Sequence, residues 1–138
     1  MKSVRPTSSY QIEVPDDVKD ETERVVTSFW QNGHSLALQL SSFLRNDGEP
    51  LSAKVRLDER IAGNTALRWT HVPGKVGSET VPDEAAAFYR EGETVWLFTY
   101  FVWPHLTVLA TISGHEQDVF DETNWARRAL RSLSLIVQ

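Results

Sequence analysis

Four histidines, His34, His71, His105 and His115, are the side chains of this chain best suited to proton transfer near neutral pH. Their settings differ. His34 follows Gln31-Asn32-Gly33 and His105 follows Pro104, turn positions where an imidazole is ordinarily a solvated residue. His71 stands near the end of a strand pattern, where a hydrogen-bonded structural role is the simpler reading. His115-Glu116-Gln117-Asp118 gathers an imidazole and two carboxylates within four residues. His71, His115, Glu116 and Asp118 therefore form the candidate polar site. The spacing is not HExxH, which puts two imidazoles on one helical face to hold zinc, so no metal ligand set and no complete catalytic constellation is assigned.

Other motifs are weaker. Ser8-Ser9 and Ser41-Ser42 lack the glycine elbow that presents a nucleophilic serine. Gly74-Lys75-Val76-Gly77 has part of a phosphate loop without the GxxxxGK[ST] spacing, so it reads as a turn. Asp16 to Glu23 holds five carboxylates but not the spaced Asp/Gly pattern of a calcium loop, and is read as a solvated acidic turn. With no cysteine, thiolate nucleophiles, iron–sulfur clusters and cysteine-type zinc sites are excluded. No cofactor is implied. The five tryptophans carry more weight, since exposed indoles mark binding surfaces. Trp96 and Trp125 are expected in the core, whereas Trp30 and Trp103, beside turns, are expected at a partner surface together with Trp69 and Phe43.

The elements that must position these residues follow from periodicity. Thr94 to Gly114 reads as two long apolar strands joined over Trp103 to Leu106. In the first, Val95, Leu97, Thr99, Phe101 and Trp103 alternate with Trp96, Phe98, Tyr100 and Val102, so both faces are apolar and both must be covered. Ala85 to Arg90 adds a third strand of the meander. Tyr10, Ile12 and Val14 mark a strand ended by Pro15. Val25 to Trp30 and Ser35 to Leu44 flank Asn32-Gly33, a hairpin signal. Pro50 opens a helix over Leu51 to Ala62, and Gly63-Asn64 stops it. Ala66 to Val72 is a further strand, and Pro73 to Pro82 a long, mobile loop. Asp121 is placed to cap the last helix, with Phe120 stapled on Trp125 and a stripe of Trp125, Ala129, Leu130, Leu133 and Ile136. Residues 1–9 are expected to be a disordered tail, and 10–138 a single domain.

At 138 residues the chain can bury roughly two thirds of its unfolded surface. The net charge of −5 and the absence of a basic block argue against nucleic acid as a partner. No run approaches a membrane span, and MKSVRPTSSYQ lacks an apolar leader core, which leads to a cytoplasmic expectation.

The order of these elements, through YQIEVPDDVKDET, SLALQLSSFLR and LTVLATISGHEQDVFDETNWARRALRSLSLIV, resembles the PsbP-like superfamily. That group is named for an extrinsic photosystem II subunit and also holds a Ran-binding import factor and bacterial domains of unknown function. The resemblance implies an α+β fold, an antiparallel sheet of about six strands in an α/β/α sandwich, and a non-catalytic accessory domain with a protein partner. One bacterial branch acts as chaperones that cradle apolar helices on the sheet, which would employ Trp69, Trp103 and Phe43 and imply a homodimer. No functional residue is carried over. Two other readings stand beside it. One is a small-molecule binder or small enzyme with a pocket between sheet and helix; the other is an immunity-type protein acting through its acidic face.

Overall fold

A computed structural model describes residues 1–45, 52–60, 66–72 (backbone) and 81–136. The Asn-Gly turn forms as its sequence requires: Gly33 adopts φ +79°, the His34 N–H donates to the Gln31 carbonyl at 3.3 Å, and β4 (Val26–Trp30) pairs antiparallel with β5 (Ala37–Leu44). The meander is likewise present, as β7 (Asp83–Glu91), β8 (Thr94–Val102) and β9 (Leu106–His115). Trp103 N–H closes the second hairpin on the Leu106 carbonyl at 2.8 Å. With β3 (Lys19–Glu23) and β6 (Ala66–Val72) at its edges, the main sheet runs β3-β4-β5-β9-β8-β7-β6. All its pairs are antiparallel.

A second sheet joins the chain's two ends. In it β2 (Tyr10–Val14) lies between β1 (Lys2–Val4) and β10 (Ser134–Leu135). Three helices complete the fold: α1 (Ala53–Arg60), α2 (Glu116–Phe120) and α3 (Trp125–Leu130). They flank the main sheet on both faces, giving the α+β sandwich expected from the two-faced strand. On one face, Val95, Leu97 and Phe101 of β8 and Val108, Ala110 and Ile112 of β9 pack with Val119, Ala126, Ala129 and Leu130, and with Tyr10, Ile12 and Val14 of the small sheet. On the other, Ala53 and Leu57 of α1 cover Ala85, Ala87, Tyr100, Val102 and Leu109. Among the described residues no helix is long and apolar enough to cross a membrane.

Several local expectations are corrected. Residues 1–9 are not a disordered tail, because Lys2–Val4 pairs with Ile12–Val14 and the Ile136 N–H donates to the Ser9 carbonyl at 2.9 Å. The acidic stretch is not all turn: Lys19–Glu23 is a fully exposed edge strand whose charges leave its open edge unattractive to a further strand. Asp121 does not cap the last helix. It accepts from the Thr123 N–H at 2.9 Å, and Asn124 caps instead, accepting from Arg127 N–H at 2.7 Å. Phe120 packs its ring on Phe88 at 4.7 Å. Trp96 and Trp125 are half-buried rather than fully in the core. The expected roles of Pro50, Gly63-Asn64, Gly74–Gly77 and the loop over 73–80 lie outside the described residues.

The α1 helix is tied to the sheet from a distance. Asp83 of β7, 5% exposed, accepts the Ala53 N–H at 2.7 Å, taking one of the open donors of the helix N-terminus, and Ser52 Oγ accepts the Val55 N–H at 3.2 Å. Asp83→Ala is expected to lower unfolding free energy by about 1–3 kcal/mol in urea titrations, the loss of a buried, charge-assisted cap. Tyr10 supplies a pH signature. Its hydroxyl is buried without a partner in hydrogen-bond geometry, and burial pushes its pKa from 10.0 to about 12, with nearby Ser42 restraining the rise. The unfolded phenol ionises first, so stability contributed at neutral pH is lost as pH rises from 10.0 towards about 12. Tyr10→Phe is expected to flatten that fall while changing neutral-pH stability by no more than about 1 kcal/mol, as read by thermal melts across pH.

Candidate functional site

The polar cluster proposed from sequence is assembled as a brace. Ser35 Oγ donates to Asp118 Oδ2 at 2.9 Å, the His115 N–H reaches Ser35 Oγ at 3.4 Å, and Arg90 pairs with Glu116 at 2.6 Å. These contacts fasten α2 to the start of β5 and the end of β7. The His115 imidazole is exposed and makes no capping bond to α2. His105 is at the opposite end of β9, and His71 lies on β6 at the register position opposite Ala85. The imidazoles of His105 and His115 do not converge, and among the described residues no group of three or more metal-ligating side chains is found.

The aromatic expectations separate by sheet face. Trp103 is 1% exposed, stacked beside Phe101 at 6.0 Å, and is no surface residue. Its place next to a turn misleads because it continues the alternation of β8 into the core under the small sheet, where Leu135 also packs. Trp30, Phe43 and the Trp69 position lie on the opposite face, the one α1 covers in part. Cross-strand register makes this explicit, since directly opposed residues share a face. One row reads Trp30, Ala37, Ser113, Trp96, Tyr89; the next reads Ser28, Gln39, Thr111, Phe98, Ala87, Trp69; Phe43, opposite Thr107, ends the face.

Half-buried Trp30, Tyr89, Trp96 and Phe98 thus share this face, with Phe98 packed against the cluster that α1 covers and the other three outside that cluster. Phe98 stands between its neighbours, 6.1 Å from Trp96 in a near-parallel stack and 6.0 Å from Tyr89. Phe43 is 52% and Leu44 85% exposed, unusual for large apolar groups in a strand. Trp96 and Phe98 were missed as surface residues because an all-apolar strand signals covering on both faces. It does not signal how far the covering element extends.

Where α1 meets the end of β5 and the start of β9, a cleft of about 410 Å³ opens. Arg45, Arg56 and Arg60 contribute positive charge to its wall and Glu59 a negative one, while Tyr100 and Thr107 lie on the sheet. Arg45 is 8% exposed, and its guanidinium donates to the Trp103 carbonyl at 2.8 Å and the Pro104 carbonyl at 3.2 Å. A second cleft, of about 340 Å³, lies on the other face between β7, β8 and α3; there burial raises the Glu84 carboxyl above its usual range, with Arg127 and Arg131 on the wall.

No family model matches the chain, and no curated protein matches it. Among solved structures, the chain is similar to a protein of Bacteroides thetaiotaomicron VPI-5482, a crystal structure at 1.50 Å resolution, with a TM-score of 0.57 and 10% identity. The match covers 94% of this chain and 46% of the Bacteroides chain, so the present chain spans under half the length of that neighbour. At that identity the likeness is one of fold alone.

Proposed function

We propose that the chain is a non-catalytic accessory domain that binds a protein partner on the α1-side face of its main sheet, as the PsbP-like domains it resembles would. The observation that carries this reading is the strip of Trp30, Trp96, Phe98 and Tyr89, half-open on one continuous face with Phe43 at its end. Aromatic side chains offer large contact areas with few rotamers to freeze, and Trp and Tyr dominate the energetics of protein interfaces. An apolar helix or extended segment laid across the rows would meet indole and phenyl faces, with Ser28, Gln39 and Ser113 as hydrogen-bonding neighbours between them. A second copy of the chain is one such occupant, and sedimentation at high concentration separates it from a foreign partner.

A second reading, a small-molecule binder with its pocket between sheet and helix, is favoured by the arginine-lined cleft. The His115 cluster favours neither, since its acids are engaged in the brace. Affinity capture with wild-type and Trp96→Ser, Phe98→Ser bait tests the first reading. The partner is expected to be lost from the variants, or weakened about thirtyfold or more where affinity is measured. Capture unchanged by the substitutions would remove the strip as the binding surface. His115→Ala is expected to alter neither capture nor stability beyond about 0.5 kcal/mol, the usual range of an exposed surface change. A lost activity at an unchanged thermal midpoint would instead favour an enzyme.

A further inference from the structure

The cleft beside α1 has a chemistry of its own, separate from the aromatic strip. Its wall carries the guanidinium of Arg60 and the carboxylate of Glu59, while Arg45 and Arg56 line it with their groups engaged in other contacts. Arg60 has no ion-pair partner among the described residues. The Tyr100 phenol is raised by burial, drawn back down by Arg60 and Arg56 and pushed up by Glu59, so its hydroxyl lies within the field of all three. Thr107 lines the same cleft at 3% exposure, and its hydroxyl has no hydrogen-bond partner among the described residues. A buried hydroxyl is rarely left unpaired, because desolvation without a bond is costly. An oxygen-bearing ligand in the cleft relieves that cost.

We propose that this cleft binds the carboxylate of a small apolar acid, with the head group held by Arg60, Tyr100 and Thr107 and the chain lying against Phe43 and Leu44. The head is a planar monoanion because a guanidinium fork matches a carboxylate in two parallel bonds, with hydroxyl donors completing its lone pairs. Glu59 disfavours a doubly charged phosphate in the same space. The tail is apolar because Phe43 and Leu44, exposed at the mouth, gain from being covered.

Calorimetric titration with octanoate, octanol and octyl phosphate, all below their aggregation limits, tests this assignment. Octanoate is expected to bind saturably at one site and at least about tenfold more tightly than octanol, as expected for charge-assisted hydrogen bonds to a carboxylate. Arg60→Gln is expected to weaken octanoate about tenfold and leave octanol unchanged. Thr107→Val removes an unpaired hydroxyl, so it is expected to weaken octanoate while holding or raising the thermal midpoint of the free protein. Trp96→Ser is expected to leave octanoate binding intact, which separates this site from the partner surface. The assignment is overturned if octanol matches octanoate, if Arg60→Gln binds octanoate like wild type, if octyl phosphate binds more tightly than octanoate, or if none of the three saturates.

Discussion

A central hairpin that is apolar on both faces sets the terms for the rest of the structure. β8 and β9 occupy the middle of a seven-stranded sheet, and their side chains enter two separate cores. Each face needs a cover, and the chain supplies two different kinds. The α2–α3 pair and the small sheet form one broad layer, fastened where Ser132 Oγ accepts the Glu13 N–H at 2.8 Å. α1 forms the other. As described it is eight residues, about 12 Å of helix, against a nine-residue strand of about 30 Å.

That mismatch in length generates both surfaces of interest. Past Phe98, which still packs against the cluster α1 covers, the face continues with Trp30, Trp96 and Tyr89, which are outside that cluster. At the flank of α1, the gap between the helix and the ends of β5 and β9 becomes the arginine-lined cleft. Asp83 ties the N-terminus of that helix to β7. Two of the polar groups that suggested chemistry, Asp118 and Glu116, also fasten elements together. Asp118 and Glu116 spend their charge on Ser35 and Arg90, and in doing so dock α2 where it closes the opposite core.

Much of the architecture was legible in the sequence. Alternation over 94–102 signalled a strand buried on both sides, Asn32-Gly33 signalled its hairpin, and the choice of strand over helix at Ala85–Arg90 followed from the aromatics that end it. These are local signals with a local cause. The small sheet was not legible, because β1 and β10 are too short to show a period and exist only through pairing with β2. Trp103 illustrates the same limit: sequence places it beside a turn, while its burial depends on the small sheet packing over that hairpin. The capping of α1 by Asp83 joins residues thirty apart, and the lining of the cleft joins β5, α1, β8 and β9, so neither leaves a spacing to read. Trp30 and Phe43 were legible as surface aromatics; that they share a face with Trp96 and Phe98 required the register.

Hydroxyl-radical footprinting of the isolated protein, read residue by residue by mass spectrometry, reports whether this face of the sheet is open to solvent. If the helix on this face leaves the strip open, Trp30, Tyr89, Trp96 and Phe98 are expected to oxidise well above the rates of Trp103 and Phe29, which are 1% and 0% exposed. Protection of Trp96 and Phe98 equal to that of Trp103 would contradict the account, because the face would then be covered and the binding surface would have to be sought elsewhere.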